Sequence, residues 1–310
     1  MKQLLHYLRA YYRDHFRVGY FASLGLFLAV SIWYNYKVDF ENTILDSYLH
    51  TWQHVVAAFG FYAVPFFFAV FGYAIFYRHA AFLKMPGFWA TAFVALLAIS
   101  LNETFYYQNL YFQQVLEPNT FYFVRKVCNN LVSVFLYLVP VALYWRFFDA
   151  QREPFYGFNA RNIDLKPYFG MMLIMLPLIT WASFQDDFLR MYPTYRFEHD
   201  QSEQAVWHFW VYQIFYGMDF VGVELFFRGF LVMALAKYMG AGAIMPMVCM
   251  YAYMHFGKPM GETIGSVFGG TVLGVLAYYT RSVYGGIIIH LGVAYMMEFT
   301  AFLQTYLRAK

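Results

Sequence analysis

A chain of 310 residues that is 61% hydrophobic and only 13% charged carries about half the roughly 25% charge of an ordinary soluble domain, which excludes a water-soluble globule. Its formal net charge of +3 belongs to short flanks beside apolar runs, so no basic stripe is left over for nucleic acid. Cys128 and Cys249 both lie in apolar runs without CxxC or His-rich spacing, which excludes a disulfide framework and a zinc knot.

In chain order, Lys2, Arg9, Arg13 and Arg17 come first and place the N-terminus on the cytoplasmic side by the positive-inside rule. The apolar run after them is long and ends without a small-residue cleavage site, so it is expected to be a retained anchor. Hydropathy predicts helices near 18–36, 54–77, 84–101, 127–148, 168–185, 206–236, 243–256, 262–280 and 283–306, judged against the roughly 20 residues that cross a bilayer. The segment 243–256 is short, as expected of a broken or shallow helix lining a polar cavity. The expected fold is all-α, a polytopic transmembrane bundle of about 8–9 spans. This alternation puts Arg146, Arg152, Arg161 and Lys166 inside, and Asp39, Glu41, Asp46, Asp186, Asp187, Glu198, Asp200 and Glu203 outside.

One continuous membrane domain is expected, in two unlike parts. Residues 1–200 are rich in Phe and Tyr and carry no motif, whereas 201–310 hold the buried ionisable groups. Within the second part, GETIGSVFGGTVLG spaces Gly261, Gly265 and Gly269 four apart, with Gly270 and Gly274 on an adjacent stripe. Small residues so spaced predict close helix packing.

A charge near mid-bilayer costs on the order of 3 kcal/mol on insertion scales, so each intramembrane ionisable residue is a candidate for function. Here these are Asp219, Glu224, Arg228, His255, His290 and Glu298. Glu224 and Arg228 are four apart and meet on one helix face, where mutual neutralisation alone explains their survival. His255 in YAYMHFGKP and His290 in GGIIIHLGV add two imidazoles from other segments. A carboxylate with two imidazoles is the set that binds a metal or activates water, and it suits amide hydrolysis. The alternation sets Glu224 and His290 in the cytoplasmic half, with His255 at or above mid-depth.

These residues resemble the CAAX-prenyl-endopeptidase and bacteriocin-processing (CPBP, or Abi) intramembrane proteases, whose pattern is E-E-x-x-x-R, F-x-x-x-H and H-x-x-x-N/D on successive helices. The counterparts are Val223-Glu224-x-x-x-Arg228, Tyr251-x-x-x-His255 and His290-x-x-x-Ala294, and the likeness covers about residues 206–300. It implies an intramembrane endopeptidase of a bacterial cytoplasmic membrane, acting on a peptide or membrane-protein substrate with no cofactor. Glu224, paired to Arg228, would act as general base with His255, while His290 polarises the scissile carbonyl. Two alternatives stand beside this: Glu224, His255 and His290 as ligands of a single divalent metal such as zinc, and a catalytically silent scaffold or immunity protein. The second is motivated by Val223 and Ala294, which stand where the pattern has a glutamate and Asn/Asp. Asp219 lies one turn before Val223 as a substitute carboxylate, and Glu298 one turn after Ala294, roughly 12 Å along the axis from His290.

Overall fold

The computed structural model describes residues 2–150, 154–159 and 164–308, and within these there are helices and turns and no β-strand. Arg152 and Arg161, counted above among the inner charges, lie outside the described residues. The first segment is more than a charged flank: α1 (Lys2–His15) is a basic surface helix that buries Leu4 and Tyr11. It lies on the last turns of a later helix, where Tyr7 stacks on Tyr279 at 5.2 Å.

There follow α2 (Val18–Val38), α3 (Trp52–Phe76), α4 (Pro86–Thr104), α5 (Tyr107–Val115) and α6 (Pro118–Tyr144). After them come α7 (Lys166–Ala182), α8 (Asp186–Met191), α9 (Ala205–Glu224), α10 (Leu235–Met239), α11 (Ile244–Tyr253), α12 (Met260–Thr280) and α13 (Tyr284–Arg308). Prolines open α4, α6 and α7, where the missing N–H has no intrahelical partner to lose. Pro65, Pro140 and Pro177 sit inside helices, as apolar surroundings and neighbouring helices allow.

Each apolar run expected from hydropathy is helical. Among the described residues six stretches are long and apolar enough to cross a bilayer: Val18–Val38, Trp52–Phe76, Pro86–Val115, Thr120–Asp149, Met260–Thr280 and Tyr284–Arg308. Large apolar side chains such as Trp33, Ile75, Leu173, Phe268 and Phe299 face outward on the bundle, a surface that lipid rather than water satisfies. The chain is an integral membrane helix bundle.

The centre of the bundle is made by two stretches whose every residue is buried. One is α11; the other, Leu225–Ala234, continues α9 with π-helical winding before α10. α11 packs on α3 and α12, α6 on α9, and α13 on α7. A helix apolar on all sides belongs inside protein, which is why the ten residues of α11 need not span lipid. The glycine stripes divide. A Cβ on Gly270 or Gly274 would press on Tyr251 or Met247 of α11, whereas Gly261, Gly265 and Gly269 face open space. Close packing therefore holds for the second stripe and not for the first.

Candidate active site

The centre is assembled where α9, α11 and α13 meet. Glu224 closes the α-helical part of α9, fully buried, and its Oε1 lies 2.9 Å from Nη1 of Arg228 and 3.0 Å from Nδ1 of His290. The arginine contact is one of charge: none of its N–H groups is aligned for a hydrogen bond. Its guanidinium lies instead over the ring of Tyr251, with Cζ 4.1 Å from the centroid, a cation–π contact that is strongest when desolvated. Room for the carboxylate comes from Gly286 on α13, where a Cβ would fall 2.1 Å from Glu224 Oε2.

Both imidazoles have fixed tautomers when neutral. A carboxylate only accepts, so His290 donates Nδ1–H to Glu224 and keeps Nε2 as an acceptor, 3.3 Å from the Tyr251 hydroxyl. His255 lies in the turn just after α11 and donates Nδ1–H to the Tyr251 carbonyl at 2.8 Å. Its Nε2 is likewise an acceptor. Tyr251 thus stands between the two rings, its centroid 4.5 Å from that of His255 and 6.2 Å from that of His290.

The turn carrying His255 is held from α2 and α12. Asn35 donates to the Phe256 carbonyl at 3.2 Å, Tyr36 to the Lys258 carbonyl at 2.5 Å, and the Thr263 hydroxyl to the carbonyl of His255 itself. Just beyond is a carboxylate that sequence reading passed over. Glu262, in the first turn of α12, has Oε1 4.0 Å from His255 Nε2 and 3.3 Å from Lys258 Nζ. The Tyr192 hydroxyl hydrogen is shared between the two Glu262 oxygens, at 3.2 and 3.0 Å. Burial opposes the charge of Lys258, but the carboxylate and Tyr192 outweigh it and hold the ammonium above the usual lysine range. The available signal was an acid one helical turn past HFGKP, masked by the glycines around it.

The two supporting acids are used elsewhere. Asp219 turns to Ser133 on α6. Glu298 accepts from the backbone N–H and hydroxyl of Thr194, at 2.9 and 2.7 Å. It thereby ties the α8–α9 connector to α13; the same connector is held by Lys126, donating to the Thr194 carbonyl at 2.7 Å, and by the Tyr122 hydroxyl, accepting from Arg196 N–H at 2.8 Å. Val223 and Ala294 are 3% and 4% exposed in apolar clusters. Among the described residues no three His, Cys, Asp or Glu side chains form a group fit for a metal ion.

Residues 203–296 match a protein-family model described as type II CAAX prenyl endopeptidase Rce1-like. The match covers the helices bearing all three motifs and agrees with the resemblance read from them. No curated protein and no solved structure matches the chain.

Proposed function

We propose that a chain so matched is an intramembrane endopeptidase, and that its chemistry is done by two imidazoles on either side of Tyr251. The observation that carries this reading is the buried Glu224–His290 contact of 3.0 Å, which joins the first motif to the third through about 66 residues of chain. A water at His255 Nε2 attacks the scissile carbonyl carbon and gives up a proton. The carbonyl π electrons move to oxygen, which faces the Tyr251 hydroxyl and the charged form of His290, whose Nε2 then carries a hydrogen to donate. The C–N bond then breaks and the amine nitrogen takes a proton. Glu224 acts through His290, fixing its tautomer and stabilising its charged form, as the buried acid of a catalytic triad does. The substrate is a peptide reaching the site from the cytoplasmic side of a bacterial membrane, with the N-terminus of this chain on that side.

The test uses the full chain in detergent with internally quenched peptides, one ending in a prenylated CAAX sequence and one lacking the lipid. His290→Ala and His255→Ala are each expected to lower kcat by about 100-fold or more. Cleavage by His290→Ala at a rate close to that of the parent would sink the reading.

A second reading has an observation of its own: where the resembled pattern has Glu and Asn/Asp, Val223 and Ala294 are packed into apolar clusters. A silent scaffold or immunity protein would cleave neither peptide, and would gain activity only on Val223→Glu with Ala294→Asn.

A further inference from the structure

We infer that Glu262 is the carboxylate that works with His255 on the attacking water; this rests on the endopeptidase reading above. His255 spends its Nδ1–H on the Tyr251 carbonyl, so the neutral ring faces Glu262 with a lone pair on Nε2. Glu262 Oε1, 4.0 Å away, is also an acceptor. Two acceptors at that separation are too far apart for a direct bond, and neither has a proton to give the other.

A water 2.8 Å from each, an ordinary hydrogen-bond length, would subtend an angle of about 90° between them. That is close to the angle between its own O–H bonds, so it donates one hydrogen to each side chain. Its lone pairs then point away from both, the orientation an attacking nucleophile needs.

The surroundings keep the acid charged and in place. Lys258 Nζ stands 3.3 Å from Oε1, and the Tyr192 hydroxyl hydrogen is shared between the two oxygens. Thr263, next to Glu262 in sequence, donates to the His255 carbonyl, which ties the start of α12 to the turn that carries the imidazole. As the water oxygen bonds to the carbonyl carbon, one of its protons passes to Glu262. When the C–N bond breaks and its electron pair goes to nitrogen, that proton is returned to the amine. Glu224 is placed differently: its Oε1 faces Arg228 and His290, and its Oε2 is turned against Gly286 of α13 rather than toward His255.

The experiment compares the full chain with Glu262→Gln and Glu262→Asp, in detergent, using the same two quenched peptides across pH. Support is a fall in kcat of about 100-fold or more for Glu262→Gln, with KM within about threefold, loss of the acid limb of the rate–pH profile, and a melting temperature near that of the parent. Glu262→Asp, keeping the charge but shortened by one methylene, would fall between them. Near-parental cleavage by Glu262→Gln, while His255→Ala and His290→Ala are inert, overturns this inference and leaves the endopeptidase reading standing. It is also overturned if activity falls only in step with melting temperature, and does so equally in Lys258→Gln and Tyr192→Phe with the pH profile unmoved, for that is a structural tether. A parent chain that cleaves neither peptide removes the endopeptidase reading itself.

Discussion

At 1% exposure beside a fully buried carboxylate, Arg228 is bearable only because of its partner. Taking one member of a buried pair away strands the other, at a cost of about 3–5 kcal/mol, whereas replacing both with apolar side chains is often neutral. Arg228→Met is therefore expected to lower unfolding stability by about that amount in a detergent melt, and Glu224→Leu with Arg228→Met to regain most of it while cleavage stays absent. If the double variant is no more stable than the single one, the pair is not what holds this part of α9. Cost in lipid made Glu224, Arg228, His255 and His290 legible in the sequence. The same cost also flagged Asp219 and Glu298, which hold helix and connector together, so expense marks a buried charge without saying whether it does chemistry or anchoring. Glu262 escaped notice because its partners are tertiary: Tyr192 lies 70 positions away, and the glycines flanking it read as packing.

Among the elements, apolar runs were read correctly as helices, but hydropathy does not tell lipid from protein interior. α11 and the π-wound continuation of α9 are greasy because they are the core, and nothing in their composition separates that from a span. π winding is rare and concentrates at functional sites; here it begins directly after Glu224, where no proline or glycine pattern announced it. A connecting turn supplies an unforeseen titration. Glu41, between α2 and α3, presses both carboxylate oxygens against the Cα of Gly257, where a Cβ would meet them at 3.1 Å. Burial, then the charges of Glu103, Asp46 and Asp39, raise it from 4.5 to about 8. A carboxyl raised on folding favours the native state while protonated. That contribution is whole below the unfolded value of 4.5 and is lost as pH climbs to about 8. Melting temperature in detergent is expected to decline across that window and to decline less in Glu41→Gln; identical slopes for the two would refute the assignment.

For the molecule as a whole, the distribution of basic residues predicts which end faces which compartment. The positive-inside reading puts the exposed Lys84 within the cell and the exposed Gln201 without. In a Cys128→Ala background, Cys249 being fully buried, Gln201→Cys is expected to react with an impermeant maleimide on intact cells and Lys84→Cys only after permeabilisation. The reverse pattern would invert the orientation. The tethers on the α8–α9 connector bear on time rather than place. Tyr192, Thr194 and Arg196 are bound to α12, α13 and α6 respectively, so no single contact can let go and release the segment. Its opening requires these hydrogen bonds to break together, which sets it apart from the nanosecond play of an untethered loop. Exchange at that end of the molecule is therefore expected to be slower than the play of a loop with no such ties.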